Sequence, residues 1–409
     1  MEESIFFALR GERFNGNNFA GEALQKGARY AVVDDTQVAR DDRYILVKDS
    51  LKALQDLSSF HRDHIDVPVV AITGSNGKTT TKELASDILT TGYMVNATSG
   101  NLNNHIGVPL TLLGMDTATE IGIVEMGANH SGEISMLCRL ARPDYGLITN
   151  IGKAHLEGFG DMEGVKKAKG ELYEYLEENG GLIFCNAGDR ILLEMLSGSN
   201  AGIIYYGTGN DTICSGEVLS ADPVLKLRLK FRDLGQVDIE TGLVGTYNLE
   251  NILAAVSLGL HFRIPPDSIQ NVLNGWSADN NRSQRIETKE NVLLMDAYNA
   301  NPTSMEAALE NFKIQDHPHK VLILGDMLEL GESESKAHNE ILMQILEMDC
   351  NDVFLVGPVF SGLKPTGNIK AFKSVGDLDS WLGRNPLKNR LILLKGSRGM
   401  GLEKLSSSL

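Results

Sequence analysis

Gly74-Ser75-Asn76-Gly77-Lys78-Thr79-Thr80 comes directly after the apolar run Val67-Pro68-Val69-Val70-Ala71-Ile72. The run predicts a buried strand, and residues 80–89 open a helix. A strand, a glycine-bearing turn ending in Lys-Thr, and a helix together cradle a nucleoside triphosphate. Glycines let backbone N–H groups converge on phosphate oxygens, and the helix N-terminus adds positive potential. Lys78 supplies a cation for the β/γ-phosphates, and the Thr79 hydroxyl is placed to ligate Mg²⁺. The first glycine of the commoner Gly-x-x-x-x-Gly-Lys spacing is replaced by Ile72, so a loose pattern match would pass over this turn. The bland alternative, a glycine turn with a chance lysine, is disfavoured by the flanking strand and helix.

Outward from this turn, 409 residues predict two to four domains at roughly 100–200 residues each. A net charge of −16 argues against nucleic acid or an anionic membrane as partner, since both need a basic footprint. An acidic chain can still bind anionic small molecules in a local cationic pocket. Cys138, Cys185, Cys214 and Cys350 are widely spaced, without a Cys-x-x-Cys pair, and read as reduced buried thiols. The start Met1-Glu2-Glu3-Ser4 lacks a signal-peptide pattern, and no apolar stretch reaches the ~18 residues that span a bilayer. A cytoplasmic chain without membrane insertion, acting as a monomer, is expected.

Three blocks emerge. In residues 1–65 strands are predicted at 4–9, 30–33 and 44–47, with helices at 19–26 and 50–61; so short a block makes a marginal core alone. Residues 66–281 carry strand-like runs at 67–72, 122–125, 145–149 and 181–185 separated by helical patterns, the alternation of a parallel α/β sheet. Residues 222–238 alternate like antiparallel strands, and the polar stretch 276–284 reads as a linker. Residues 282–409 again alternate, with strands at 292–296, 321–324, 353–356 and 391–394 and helices at 304–312 and 335–346, a Rossmann-like unit.

Glu125 ends an apolar strand, where a carboxylate can reach a metal held by a neighbouring phosphate loop; a strand-end salt bridge is the plainer alternative. His155 sits in the loop after residue 149, where a lone histidine is more often a surface residue than a ligand. Lys166, Lys167 and Lys169 read, from spacing alone, as a solvated basic face of the helix predicted over 164–176.

Thr73 to Thr80, Asn101-Leu102-Asn103-Asn104-His105-Ile106-Gly107-Val108-Pro109, Glu125-Met126-Gly127 and Ala154-His155-Leu156-Glu157-Gly158 together resemble the Mur ligase family. Gly245-Thr246-Tyr247-Asn248-Leu249-Glu250-Asn251, Asp296-Ala297-Tyr298-Asn299-Ala300-Asn301-Pro302, Gly325-Asp326-Met327 and Lys395-Gly396-Ser397-Arg398 extend the resemblance over nearly the whole chain. The Asn-Asn-x-Ile-Gly-Val-Pro, Asp-x-Tyr-Asn-Ala-Asn and Gly-Asp-Met stretches resemble the family's dipeptide-adding branch.

The resemblance implies an α/β fold in three domains: a small N-terminal UDP-substrate domain incomplete at its start, a central P-loop ATPase-like parallel-sheet domain, and a C-terminal Rossmann-like ligase domain. It implies an ATP-dependent amide ligase of peptidoglycan precursor synthesis, joining D-alanyl-D-alanine to UDP-N-acetylmuramoyl-tripeptide through an acyl phosphate. In that scheme Gly74, Ser75, Asn76, Gly77, Lys78, Thr79 and Thr80 hold phosphates, while Thr79 and Glu125 serve a first Mg²⁺. His155 serves a second Mg²⁺, supported by Lys169 carrying a CO₂-derived carbamate. Arg282, with Arg285 as the competing choice, reaches the γ-phosphate. Asn248 and Asn251 lie on the adenine side, and Asp296 meets the ribose. Asn103 and Asn104 sit by the muramoyl substrate; Asp326 and Arg398 are candidates for the incoming dipeptide, against helix capping and surface charge. Tyr247 departs from the family's usual histidine, and the Asp-Ser-Arg stretch that helps recognise uridine diphosphate is absent. Another Mur ligase, a folylpolyglutamate synthase-like ligase and an inactive ATP-binding paralogue remain as alternatives.

Overall fold

The computed structural model describes residues 3–209, 211–364 and 368–409; Met1 and Glu2 of the acidic start lie outside the described residues. The chain begins with strand β1 (Ile5–Phe7), the short hairpin strands β2 (Arg10–Gly11) and β3 (Phe14–Asn15), and helix α1 (Ala20–Gln25). β4 (Tyr30–Val33) and β5 (Tyr44–Leu46) complete a three-stranded parallel sheet with β4 at its centre. Its core is built of small side chains such as Ala8, Ala20, Ala31 and Val33, too little apolar area to stand alone. Helix α2 (Ser50–His64), capped by the Asp49 carboxylate on Lys52 N–H, therefore leans on the central region of the chain. His61 Nε2 lies 2.7 Å from the Met115 carbonyl, and Arg62 donates to the Ala141 carbonyl at 2.9 Å. These contacts, and basic side chains beside the carbonyl end, carry the helix past the expected stop at residue 61.

The central region runs through β6 (Val69–Thr73), α3 (Lys78–Thr90), β7 (Val95–Ala97), α4 (Gly107–Leu113), β8 (Ile121–Glu125), α5 (Glu133–Ala141) and β9 (Tyr145–Ile148). It continues with α6 (Leu156–Phe159), α7 (Met162–Asn179), β10 (Leu182–Asn186), α8 (Arg190–Met195) and β11 (Gly202–Tyr206). The six strands pair in parallel in the order β11-β10-β9-β6-β8-β7. β6 is wholly buried, which is why its sequence is an unbroken apolar run. With β9 on one side of it and β8 on the other, the loops after all three strands open onto one crevice. The antiparallel trio β12 (Cys214–Ser220), β13 (Lys226–Phe231) and β14 (Gly235–Glu240) comes next, its alternating residues turned to a core shared with α9 (Asn248–His261) and α10 (Pro266–Leu273). α9 is buried almost all round, wedged against α3 through Ile252, Val256 and Ile88.

Residues 275–283 form no helix or strand, yet they are not a free linker. Trp276 Nε1 donates to Asp87 at 2.7 Å and Asn280 Nδ2 to Glu83 at 2.8 Å, tying the segment to α3. Gln284, expected in the linker, already opens β15 (Gln284–Glu287), which runs antiparallel to β16 (Val292–Asp296). Then come α11 (Pro302–Ile314), β17 (Lys320–Gly325), α12 (Glu334–Leu346), β18 (Asp352–Val356), α13 (Pro358–Gly362), β19 (Ile369–Phe372), α14 (Val375–Leu382) and β20 (Leu391–Lys395). The sheet order is β15-β16-β20-β17-β18-β19, parallel apart from β15. β16 and β20 are neighbours, so Asp296 and Lys395 stand side by side where both strands end.

Candidate active site

The turn after β6 is shaped by two glycines at positive φ, where a side chain would be both strained and crowded. Gly74 has φ +139°, and a Cβ there would lie 2.0 Å from Thr149 Oγ1; Gly77 has φ +81°, and a Cβ would lie 2.1 Å from Asn251 Oδ1. The turn is braced from the loop after β9. Ser75 N–H donates to the Asn150 carbonyl at 2.9 Å, and Asn76 N–H to Asn150 Oδ1 at 3.0 Å. Thr149 Oγ1 donates to the Asn76 carbonyl at 2.6 Å. Lys78 Nζ folds back on the carbonyls of Gly74 (2.6 Å) and Ser75 (3.1 Å). Burial, reinforced by Arg282 and opposed by Glu125, pushes this amine down to about 8. Thr79 and Thr80, both buried, start α3 beside it.

Glu125 is 1% exposed at the end of β8. Its Oε1 accepts from Asn103 Nδ2 at 2.7 Å, while its buried Oε2 has no hydrogen-bond partner. An orphaned carboxylate oxygen in the same cleft as the Thr79 hydroxyl fits a hard divalent cation that keeps several waters. No cluster of three or more histidine, cysteine or carboxylate side chains suited to a metal occurs among the described residues. His155 is held in a left-handed conformation, φ +51°, with Nδ1 2.5 Å from Glu329 Oε2. Its ring and Lys169 Nζ both approach Phe159, at 6.4 Å and 5.5 Å from the ring centre.

Lys169 corrects the reading of a solvated basic face. Lys167 is exposed and Lys166 half-buried, but Lys169 is 1% exposed, its Nζ 3.4 Å from the Ala128 carbonyl and without a carboxylate within ion-pair distance among the described residues. Burial and the neighbouring Lys78 push its amine down to about 7, against the pull of Glu133 and Glu171. It stands behind Ala128, which lines the cleft, rather than in the lining itself.

The cleft measures about 640 Å³ and is walled by the central region on one side and the C-terminal region on the other. Arg282 enters it from the segment before β15, its guanidinium 3.6 Å from the Tyr298 ring centre. Arg285 instead pairs with Glu287 at 2.5 Å on β15 and takes no part in the cleft. Asp296 lines it, with Lys395 Nζ donating to Oδ2 at 2.6 Å. Asn248 and Asn251 line it from the start of α9 but are linked to each other at 2.9 Å, to the Val244 carbonyl and to Thr81. Asn103 and Asn104 also line it; Asn104 Oδ1 meanwhile accepts from the N–H groups of Ile106 and Gly107 at the start of α4. Arg398 is present, its Nη1 donating to the Tyr298 hydroxyl at 3.0 Å.

Asp326 is not brought to the cleft. It is fully buried and accepts from Val359 and Phe360 N–H at 2.8 and 2.9 Å, capping α13 from beneath. The capping alternative therefore describes it better than the dipeptide one. Tyr247, in place of the expected histidine, lines the cleft and meets Ser283 Oγ at 2.9 Å through its hydroxyl. Lining residues given no site role from the sequence include Lys395, Asn301 and Glu329. Lys395 was the most legible, a lone cation closing the apolar strand β20.

Two family descriptions match the chain: the Mur ligase middle domain over residues 72–259, and the Mur ligase, glutamate ligase domain over 281–398. The UDP-N-acetylmuramoyl-tripeptide--D-alanyl-D-alanine ligase of Bacillus subtilis (strain 168) is 36% identical over 425 aligned positions, covering 100% of this chain and 90% of the relative. A crystal structure of MurF from Acinetobacter baumannii superposes with a TM-score of 0.87 at 30% identity, covering 100% of this chain and 91% of that one. The MurF ligase of Thermotoga maritima in complex with ADP gives 0.86 at 25% identity, covering 100% and 94%. Matched along its length in sequence and in fold, the chain belongs to the Mur ligase family, in its UDP-N-acetylmuramoyl-tripeptide--D-alanyl-D-alanine ligase branch.

Proposed function

We propose that the chain spends ATP to join D-alanyl-D-alanine to the terminal carboxylate of UDP-N-acetylmuramoyl-tripeptide. One observation carries the reading: a phosphate-binding turn and cations from two separate regions face a single cleft. Bringing a carboxylate to a γ-phosphate sets anion against anion, so the site must concentrate positive charge in low dielectric. Lys78 and Arg282 supply it at the nucleotide end, and the loop N–H groups add their dipoles. Lys78 gains a phosphate partner by leaving its own loop carbonyls.

A carboxylate resists amine attack because its carbon is electron-rich. Transfer of the γ-phosphoryl to one carboxylate oxygen gives an acyl phosphate and ADP. The dipeptide amine then adds to the acyl carbon, and collapse of the tetrahedral adduct expels phosphate. Thr79 and Glu125 would hold Mg²⁺ on the nucleotide side, with Asn103 fixing the Glu125 rotamer. An ion bound there would neutralise charge on the transferring phosphoryl group. His155 and Lys169 are assigned to the acyl side. A buried amine pushed down to about 7 holds enough neutral form to take up CO₂, and Lys78 nearby would compensate the carbamate's charge. Asp296, paired with Lys395, meets the ribose, and Arg398 takes the carboxylate of the incoming dipeptide.

The test is release of ADP and phosphate with candidate acceptors in turn. Turnover is expected only when UDP-N-acetylmuramoyl-tripeptide and D-alanyl-D-alanine are both present. Steady turnover with glutamate and a folate instead would reverse the assignment.

A further inference from the structure

β16 and β20 pair with Asp296 opposite Lys395, so residues just beyond each strand end emerge side by side. Tyr298 comes from the first and Arg398 from the second. Arg282 reaches the same place from the segment before β15, where Asn281 (φ +59°) and Ser283 (φ +50°) both hold left-handed backbone on either side of it. The guanidinium of Arg282 lies 3.6 Å from the Tyr298 ring centre; that of Arg398 lies 5.1 Å away, with Nη1 3.0 Å from the hydroxyl. Arg282 Nε is buried without a hydrogen-bond partner. One phenol serves both cations, offering a π face to one and an oxygen to the other.

We infer that Tyr298 is a positioning residue that aligns Arg282 through its ring and Arg398 through its hydroxyl, coupling the phosphate end of the cleft to the acceptor end. The inference rests on the roles given above to the two arginines. Its two halves separate chemically: phenylalanine keeps the ring and loses the hydroxyl, whereas leucine loses both.

The experiment compares Tyr298→Phe and Tyr298→Leu with the parent in two measurements. Calorimetry gives the affinity for a non-hydrolysable ATP analogue relative to ADP, which reports contact with the γ-phosphate without requiring turnover. Steady-state kinetics gives KM for D-alanyl-D-alanine. Y298F is expected to keep the analogue-to-ADP ratio within about twofold and to raise the dipeptide KM about tenfold. Y298L is expected to raise that KM similarly and also to lower the ratio about tenfold, with ADP affinity unchanged as the sign of an intact fold. A parental ratio in Y298L, or a parental KM in Y298F, overturns the inference. Should Y298L fail to bind ADP, the KM of Y298F decides. If the parent does not ligate the dipeptide, the proposed function falls, while the nucleotide ratio still tests the ring's hold on Arg282.

Discussion

Lys169 ordinarily would keep its proton to 10.5, as would Lys78, but in the fold they give it up from about 7 and about 8. The unfolded chain therefore binds more protons between those values and 10.5, so stability rises with pH across that window. The penalty of the buried charge is fully present below about 7. Lys169→Met removes that charge while keeping the volume. It is expected to raise the melting temperature at neutral pH by a few degrees and flatten its rise with pH, while kcat falls about a hundredfold. For Lys169→Ala, a small added carboxylic acid should restore part of the activity. Calorimetric melts and the coupled assay check both; a methionine variant as active as the parent would remove Lys169 from the mechanism. Gly77 makes the complementary case, since a methyl there meets Asn251 Oδ1 and forces a left-handed alanine. Gly77→Ala should abolish measurable ATP binding, and parental affinity would show that the turn does not hold the phosphates.

At the scale of elements, Asp326 separates capping from catalysis. Gly357, at φ +125°, is compelled by it, since a Cβ would lie 2.3 Å from the Asp326 carboxylate. Asp326→Asn should cost ~1–2 kcal/mol, read by chemical denaturation, and leave the dipeptide KM unchanged. Unchanged stability with a raised KM would return Asp326 to the substrate. The inner strands of the two large sheets were legible because buried parallel strands read as unbroken apolar runs, as in Val69–Thr73 and Leu391–Lys395, whereas the edge strands β7 and β11 of the central sheet, only partly buried, were not. β15 was not, because an edge strand of sequence Gln-Arg-Ile-Glu carries no such run and is set by its pairing with β16. α14 and β19 were missed for a like reason: each is short and buries only part of its length. The phosphate turn was legible from contiguous residues. Tyr298 and Glu329 meet partners distant in sequence, Arg282 and His155, and spacing along the chain cannot show such meetings.

For the whole molecule, three contacts draw the C-terminal region onto the phosphate turn and its bracing loop. Asn301 Nδ2 donates to Asn76 Oδ1 at 2.8 Å, Lys153 N–H donates to Thr303 Oγ1 at 3.0 Å, and Glu329 meets His155. Substrate binding is expected to close a cleft assembled from both sides. Asn301→Ala combined with Glu329→Ala should weaken the compaction that an ATP analogue and tripeptide substrate produce, read as a larger radius of gyration by small-angle scattering. Compaction equal to the parent's would deny these contacts a part in closure. If the proposed reaction phosphorylates a carboxylate, one oxygen of that carboxylate must leave with the phosphate. Tripeptide substrate labelled with heavy oxygen in its terminal carboxylate, turned over with ATP and D-alanyl-D-alanine in ordinary water, tests this by mass analysis of the released phosphate. One labelled oxygen per phosphate is the predicted result, and phosphate free of label would contradict the account.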